Sequence, residues 1–297
     1  MTSSEPWIRV TSSVGRAPFP AVSIDPEVAF ADDPSIKRIY IPRLRSFQFT
    51  GRVQDVNDTP VPGATVRFLS TGVFGGSQLG LQGTFSASAT TTEDGSFGAE
   101  LLPGYYSVTV TPPEDVENTW GILSTEVLVG EEFTTAGSLV IPSQIQLYGW
   151  VATFRDEHAV GITILARARS SADSHAMPRS KEAVTNSLGA FAMSMDLGVY
   201  DLHVKVPSQT GFAWVVDPEL VVSSEDSEFL RAYELVPPIP VEGSVRTSEG
   251  DPVPGAPVRA YVLLHTDGAA RRAVQVAESV SGEDGSYRLL ISPRNDE

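Results

Sequence analysis

The chain has 297 residues, enough for two or three domains, and 41% of them are hydrophobic, enough to pack cores. Its formal net charge of −16 argues against nucleic acid as a partner, because phosphate binding needs clustered Lys and Arg. With no Cys there are no disulfides, thiol nucleophiles or thiolate metal sites, and no apolar run reaches the length of a membrane span.

In chain order, the first stretch is "EPWIRVTSS", where Ile8 and Val10 alternate with polar residues. It is followed by "SIDPEVAF" and by "RIYIP" ending at Pro42. No basic start leads into an apolar core, so no signal peptide is visible. An opening strand then carries Phe49, Gly51 and Val53 on one face. The turn "TPVPGATV" around Gly63 leads to a strand through Val66 and Phe68. After the insertion "TGVFGGSQLGLQGTF" comes the turn "TTEDGSF", with Asp94 and Gly95, and alternation through Phe97, Ala99 and Leu101. The strands "YYSVTV", "STEVLV" and "SLVIP" close this set.

The same order then recurs. Leu147-Gly149-Val151 and Val241-Gly243-Val245 repeat the opening strand, and Gly161 and Gly255 repeat the first turn. Gly189 and Gly285, the latter preceded by Asp284, repeat the second turn at a period near a hundred residues. Alternation follows through Phe191, Met193 and Met195, and through Tyr287, Leu289 and Ile291. Several short strands between Gly/Pro turns at this period predict an all-β chain of tandem β-sandwiches, transthyretin-like or Ig-like, with no long helical period.

The sequence of motifs G-x-V, P-V-P-G-A-x-V, T-x-x-D-G-x-F and P-G-x-Y-x-V-x-V resembles the carboxypeptidase regulatory-like domain. The first copy carries it in Gly51, Val53, Pro62, Gly63, Ala64, Asp94, Gly95, Phe97, Pro103, Gly104, Tyr106 and Val108. The third carries Gly243, Pro254, Gly255, Ala256, Asp284, Gly285 and Tyr287, and the second departs at Val160 and Leu188. The resemblance implies a transthyretin-like (prealbumin-like) β-sandwich. It also implies an accessory, spacer or binding role, as in tandem domains of bacterial surface proteins, without catalytic residues of its own.

The third copy ends at "SYRLLISPRNDE", with no counterpart of "YYSVTV" after it, whereas residues 1–46 read as closing strands with no opening ones. There Asp25-Pro26-Glu27 stands beside Asp217-Pro218-Glu219. The expected organisation is closing strands over 1–46, whole sandwiches over 47–143 and 144–238, and opening strands over 239–297. Each buried apolar side chain contributes about 1.5–3 kcal/mol against a domain's margin of about 5–15 kcal/mol, so an unfinished half should not stand alone. The chain is a fragment of a longer repeat protein or its third copy is simply reduced, or its two halves meet in a closed ring, or they meet head to tail between copies as strand complementation. In the last case Trp7, Ile8 and Val10 would lie on the donating side and Tyr287, Leu289 and Ile291 on the receiving side.

For sites, the unequal loops stand out, since loops at one end of a sandwich carry binding. The first is Gly-rich and holds Phe74, Leu79, Leu81 and Phe85, a candidate surface for a glycan or protein ligand. The Asp94 and Asp284 turns lack the alternating ligands of a calcium loop and read as hairpin turns, so neither metal nor cofactor is expected. His158, His175, His203 and His265 have no ligand spacing, and alternation puts His203 on an outward, solvated position. No G-x-S-x-G elbow appears, so no catalytic residue is expected and the chain reads as non-enzymatic. Lys–Asn crosslinks are also not expected, because Lys205 alternates outward and the third copy has no Lys. The reading is an extracellular, cell-surface or periplasmic structural, adhesion or assembly module capable of head-to-tail self-association. The alternative is a carbohydrate- or peptide-binding accessory module.

Overall fold

The computed structural model describes residues 8–10, 21–24, 45–73, 82–114, 119–169, 177–225, 228–264 and 272–293. Two compact units divide the chain, one built mainly on residues up to Ser143 and one from Gln144 onward.

In the first unit, β3 (Phe47–Gln54) lies between β7 (Ser96–Leu101) and β10 (Thr135–Val140). A second sheet has β4 (Thr65–Val73) between β6 (Ser86–Thr90) and β8 (Gly104–Thr111), with β9 (Leu123–Val129) outside β8. The neighbours run antiparallel except β3 and β10, which are parallel. Alternation does what the sequence predicts: β7 buries Phe97, Ala99 and Leu101 and exposes the residues between. Phe49 of one sheet meets Phe68 of the other edge to face at 5.9 Å, and Phe68 also touches Phe97 and Tyr106, so the sheets share one aromatic-rich core. This is a β-sandwich.

The second unit repeats it. One sheet has β11 (Ile145–Thr153) between β14 (Ala190–Met195) and β17 (Glu228–Leu235), again with β11 and β17 parallel. The other runs β13 (Lys181–Val184), β12 (Thr163–Arg169), β15 (Gly198–Lys205), β16 (Val215–Val222). Leu147, Ile164, Met195 and Leu202 are completely buried between these sheets. Tyr106 and Tyr200 each donate from the phenol to the carbonyl four residues earlier, Leu102 and Asp196, at 2.8 and 3.0 Å. Burial pushes both phenols above the ordinary tyrosine range.

The second unit continues into four further strands. Here β18 (Ile239–Ser244) pairs with β21 (Ser286–Ile291), and β19 (Pro257–Leu264) pairs with β20 (Arg272–Val280). These correspond to β3–β7 and β4–β6 of the first sandwich. Among the described residues β18 and β19 have no partner on their other edge.

Outside both sandwich sheets of the first unit, β1 (Ile8–Val10) pairs antiparallel with β2 (Ala21–Ile24), and β2 with β5 (Gln82–Thr84). The sequence reading did not contain β5, which lies in the insertion between β4 and β6.

Candidate functional site

The residues repeated through the chain perform one structural task three times. Gly95, Gly189 and Gly285 have φ of 79°, 69° and 78°, a region in which a Cβ is strained. Each carbonyl accepts from the opening strand, from the amides of Val53, Val151 and Val245, at 2.8 Å. A Cβ on these glycines would lie 2.4–2.5 Å from the carbonyl oxygen of the same valine. Gly63, Gly161 and Gly255 also have positive φ and donate to the carbonyls of Thr91, Thr185 and Ser281 at 2.9–3.0 Å. Asp94 Oδ1 accepts from Thr92 Oγ1, Ser96 Oγ and the Ser96 amide, which holds its carboxyl well below the usual range. Asp284 is likewise lowered by the Ser286 hydroxyl and then by the Ser286 amide, from which it accepts at 2.9 Å.

The opening-strand glycines have a separate purpose. A Cβ on Gly51, Gly149 or Gly243 would come within 2.5–2.6 Å of Phe97, Phe191 or Tyr287. The aromatic after each anchor turn reaches into the space that a side chain on the opening-strand glycine would fill.

What differs between the copies is completion. Phe49 and Leu147 are 0% exposed, whereas their counterpart Val241 is 40% exposed. Val66, Phe68, Ile164 and Ala166 are fully buried, but Val258 and Ala260 are only half-buried. A cavity of about 610 Å³ runs along β19. It is lined by Ala260–Leu264, by Val274 and Val276 of β20, and by Ile291, Ser292 and Pro293 at the end of β21. Across from them are Trp214, Val216 and Pro218, at or next to β16.

β20 also reaches the outer face of β15. Arg272 Nη1 donates to Asp201 Oδ2, and its Nη2 lies 3.6 Å from Glu219 Oε1, which also receives Arg169 at 3.2 Å. Glu219 has the left-handed φ of 65° and its amide donates to Asp201 Oδ1 at 3.2 Å, beside the register shift between β15 and β16. This corrects the expectation for His203. It alternates outward on β15, but it is 3% exposed because that outer face is covered, and its Nδ1 has no hydrogen-bond partner. Burial, then Arg167, hold its pKa below the ordinary imidazole value. Lys205, also outward, places Nζ 5.1 Å from the Trp214 ring centroid.

Of the proposed loop surface, Phe74, Leu79 and Leu81 lie outside the described residues, as do Trp7, His175 and His265. Phe85 is described: its ring packs edge to face on Tyr106 at 6.5 Å, against the first core. Its backbone is pinned to Ser70 through two bonds of 2.6 and 2.8 Å. Ile8 and Val10 bound β1, while Tyr287, Leu289 and Ile291 lie on β21. No cluster of three or more His, Asp or Glu that could hold a metal occurs among the described residues.

Sequence reasoning missed Thr91, Thr185 and Ser281, hydroxyls that tie the first turn of each copy to the strand leading into the second turn. It also missed Asp196, whose carboxylate is fully buried and accepts from the Arg179 amide at 2.9 Å and from Arg179 Nε and Nη2 at 2.9 and 2.6 Å. The alignment of the three copies was the signal for the hydroxyls. None existed for Asp196, which has no counterpart in the motifs.

No family model matches the chain, and no curated protein does. Among solved structures it is similar to the Bacillus anthracis TIE protein at 14% identity and a TM-score of 0.27, covering 83% of this chain and 44% of that one. It is also similar to a streptococcal ancillary pilin, at 11% identity and a TM-score of 0.24, covering 84% of this chain and 87% of that chain. The shaft pilin SpaA of Lactobacillus rhamnosus GG matches at 10% identity and a TM-score of 0.28, over 65% of this chain and 97% of the pilin. The chain thus spans less than half the length of the first of these structures. The β-sandwich assignment rests on the sheets themselves.

Proposed function

We propose that this chain is a non-enzymatic tandem-repeat module of a bacterial cell-surface or secreted protein. In this reading its carboxypeptidase regulatory-like sandwiches, bounded at 46/47, 143/144 and 238/239, serve structure, adhesion or assembly through head-to-tail association. The observation that supports it best is the contrast between Val241, 40% exposed, and its fully buried counterparts Phe49 and Leu147. A core face of the same design is closed twice by strands and left open once, which calls for more strands. Four of the carboxylates described have structural partners: Asp94 and Asp284 fix turns, and Asp196 and Asp201 pair with Arg179 and Arg272.

Sedimentation velocity over a wide concentration range, with negative-stain microscopy of the same samples, tests this reading. Concentration-dependent growth into linear particles is expected, and a single monomeric species at every concentration would overturn it. The binding-module alternative, with a glycan or peptide at the loops, is weakened by Phe85 facing the core. Selective glycan-array binding lost on shortening residues 72–85 would restore it.

A further inference from the structure

The two four-stranded sheets share one order, β6-β4-β8-β9 and β13-β12-β15-β16. Among the described residues after β17, β20 and β19 correspond to the first two members of that order, and the edge of β19 that would receive the third is unpaired. The missing pair is a β8–β9-type unit, two antiparallel strands with a long connection. β1 and β2 have that form: residues 11–20 connect them, compared with 112–122 between β8 and β9 and 206–214 between β15 and β16. From the start of the second strand, the stretch to the closing Pro is also alike: Ala21 to Pro42, Leu123 to Pro142 and Val215 to Pro237. β1 is itself an edge, the first member of the sheet β1-β2-β5.

We propose that the free edge of β19 takes the β1–β2 hairpin of a second copy of this chain, edge to edge and antiparallel. The inference rests on the head-to-tail assembly reading above. The resulting sheet, β20-β19-β1-β2, reproduces the order of the two complete ones. β2 keeps its pairing with β5, so the hairpin does not have to leave its own unit and the sheet continues from one copy into the next. A second copy is the occupant because the two edges are unlike, one on β1 and one on β19. Their pairing is heterologous, and each addition leaves one of each edge free for the next.

The register follows from the complete sandwiches. Phe68 faces Val108 and Ser70 faces Tyr106 in one, and Ala166 faces Leu202 and Ala168 faces Tyr200 in the other. Setting Ile8 and Val10 beside Tyr106 and Val108, and Ala260 and Val262 beside Phe68 and Ser70, puts Val10 of the second copy opposite Ala260, Arg9 opposite Tyr261 and Ile8 opposite Val262. The residues of β19 that this register would pair, Ala260, Tyr261 and Val262, are among those lining the cavity of about 610 Å³.

Because the chain has no Cys, crosslinking reads this register directly. Variants R9C and Y261C, mixed and oxidised, are expected to give a covalent 9–261 heterodimer as the main product. R9C mixed with S244C, on β18, should give none. The double variant R9C/Y261C should give a ladder of covalent oligomers, and an intramolecular product alone would overturn the second copy as occupant. Leu263→Lys, at an exposed position on β19, puts a charge on the edge and should weaken association at least tenfold without changing the monomer's circular dichroism. Association that persists with no preference for the 9–261 link would overturn this edge pairing and leave the assembly reading standing. Absence of both association and crosslink would remove both.

Discussion

Thr185 Oγ1 donates to the Ala159 carbonyl at 2.6 Å and accepts from the Ile162 amide at 2.9 Å, while itself buried. Thr91 makes the same two bonds to Val61 and Ala64, and Ser281 to Val253 and Ala256. One hydroxyl therefore satisfies a donor and an acceptor of a turn whose backbone cannot pair with itself. Replacing Thr185 with Val keeps the shape and strands both partners. The second sandwich should lose about 1–3 kcal/mol, and Thr185→Ser, which copies Ser281, should lose little. Urea unfolding followed by tryptophan fluorescence measures both, and an unshifted midpoint for the Val variant would contradict this role.

The anchor glycines separate two costs that usually come together. Gly161 and Gly189 have similar positive φ, but a Cβ on Gly161 meets nothing within 4 Å, whereas one on Gly189 lies 2.4 Å from the Val151 carbonyl. Gly161→Ala should cost only the left-handed penalty, about 1–2 kcal/mol. Gly189→Ala adds a backbone collision and should cost clearly more, with the second unit melting first in calorimetry. Equal losses would mean the turn relaxes to accept the methyl.

These turns were the legible part of the molecule. Gly95, Gly189 and Gly285 could be aligned because a positive φ against a fixed carbonyl admits little else, and the two-residue alternation around them follows from one wet and one dry sheet face. Where that alternation fails, the sequence misleads. On β15 both faces are buried, Tyr200 and Leu202 by their own sandwich and Asp201 and His203 by the neighbouring strands. Phe85 looked like part of a surface loop because nothing local shows that its backbone is bonded to Ser70. The pairing of β2 with β5 was equally out of reach, since Gln82–Thr84 is three residues without alternation.

Burial raises and the Arg179 hydrogen bonds lower the Asp196 carboxyl, with the bonds prevailing, so its pKa in the fold lies below the unfolded value. Its contribution to stability is therefore complete above the unfolded carboxylate range, about pH 4, and is lost as pH falls through the lower folded value. Asp196→Asn should destabilise the second unit at neutral pH and flatten its acid limb below about pH 4. Thermal melts from neutral pH to pH 2 compare the two slopes, and identical slopes would contradict the assignment.

His203 works in the same direction at milder pH. It faces Arg167 on β12, Asp201 and Lys205 on its own strand and Arg272 on β20, and burial keeps it neutral in the fold. Stability tied to it is fully present above the unfolded imidazole value, about pH 6.5, and declines as pH falls towards the lower folded one. The wild-type chain should lose stability between pH 7 and pH 5, and His203→Gln should lose less. Melting curves at the two pH values decide it, and a variant as pH-sensitive as wild type would remove His203 from this role.

In each sandwich the strand by which the chain enters lies beside, and parallel to, the strand by which it leaves: β3 with β10, and β11 with β17 through eight consecutive pairs. A load pulling the two ends of such a body apart slides these neighbours lengthwise and stresses their ladder all at once. An antiparallel hairpin under the same load would give way one rung at a time. The direction of two strands thus puts the closing ladder of each sandwich in shear, not in peeling, whenever its two ends are pulled apart.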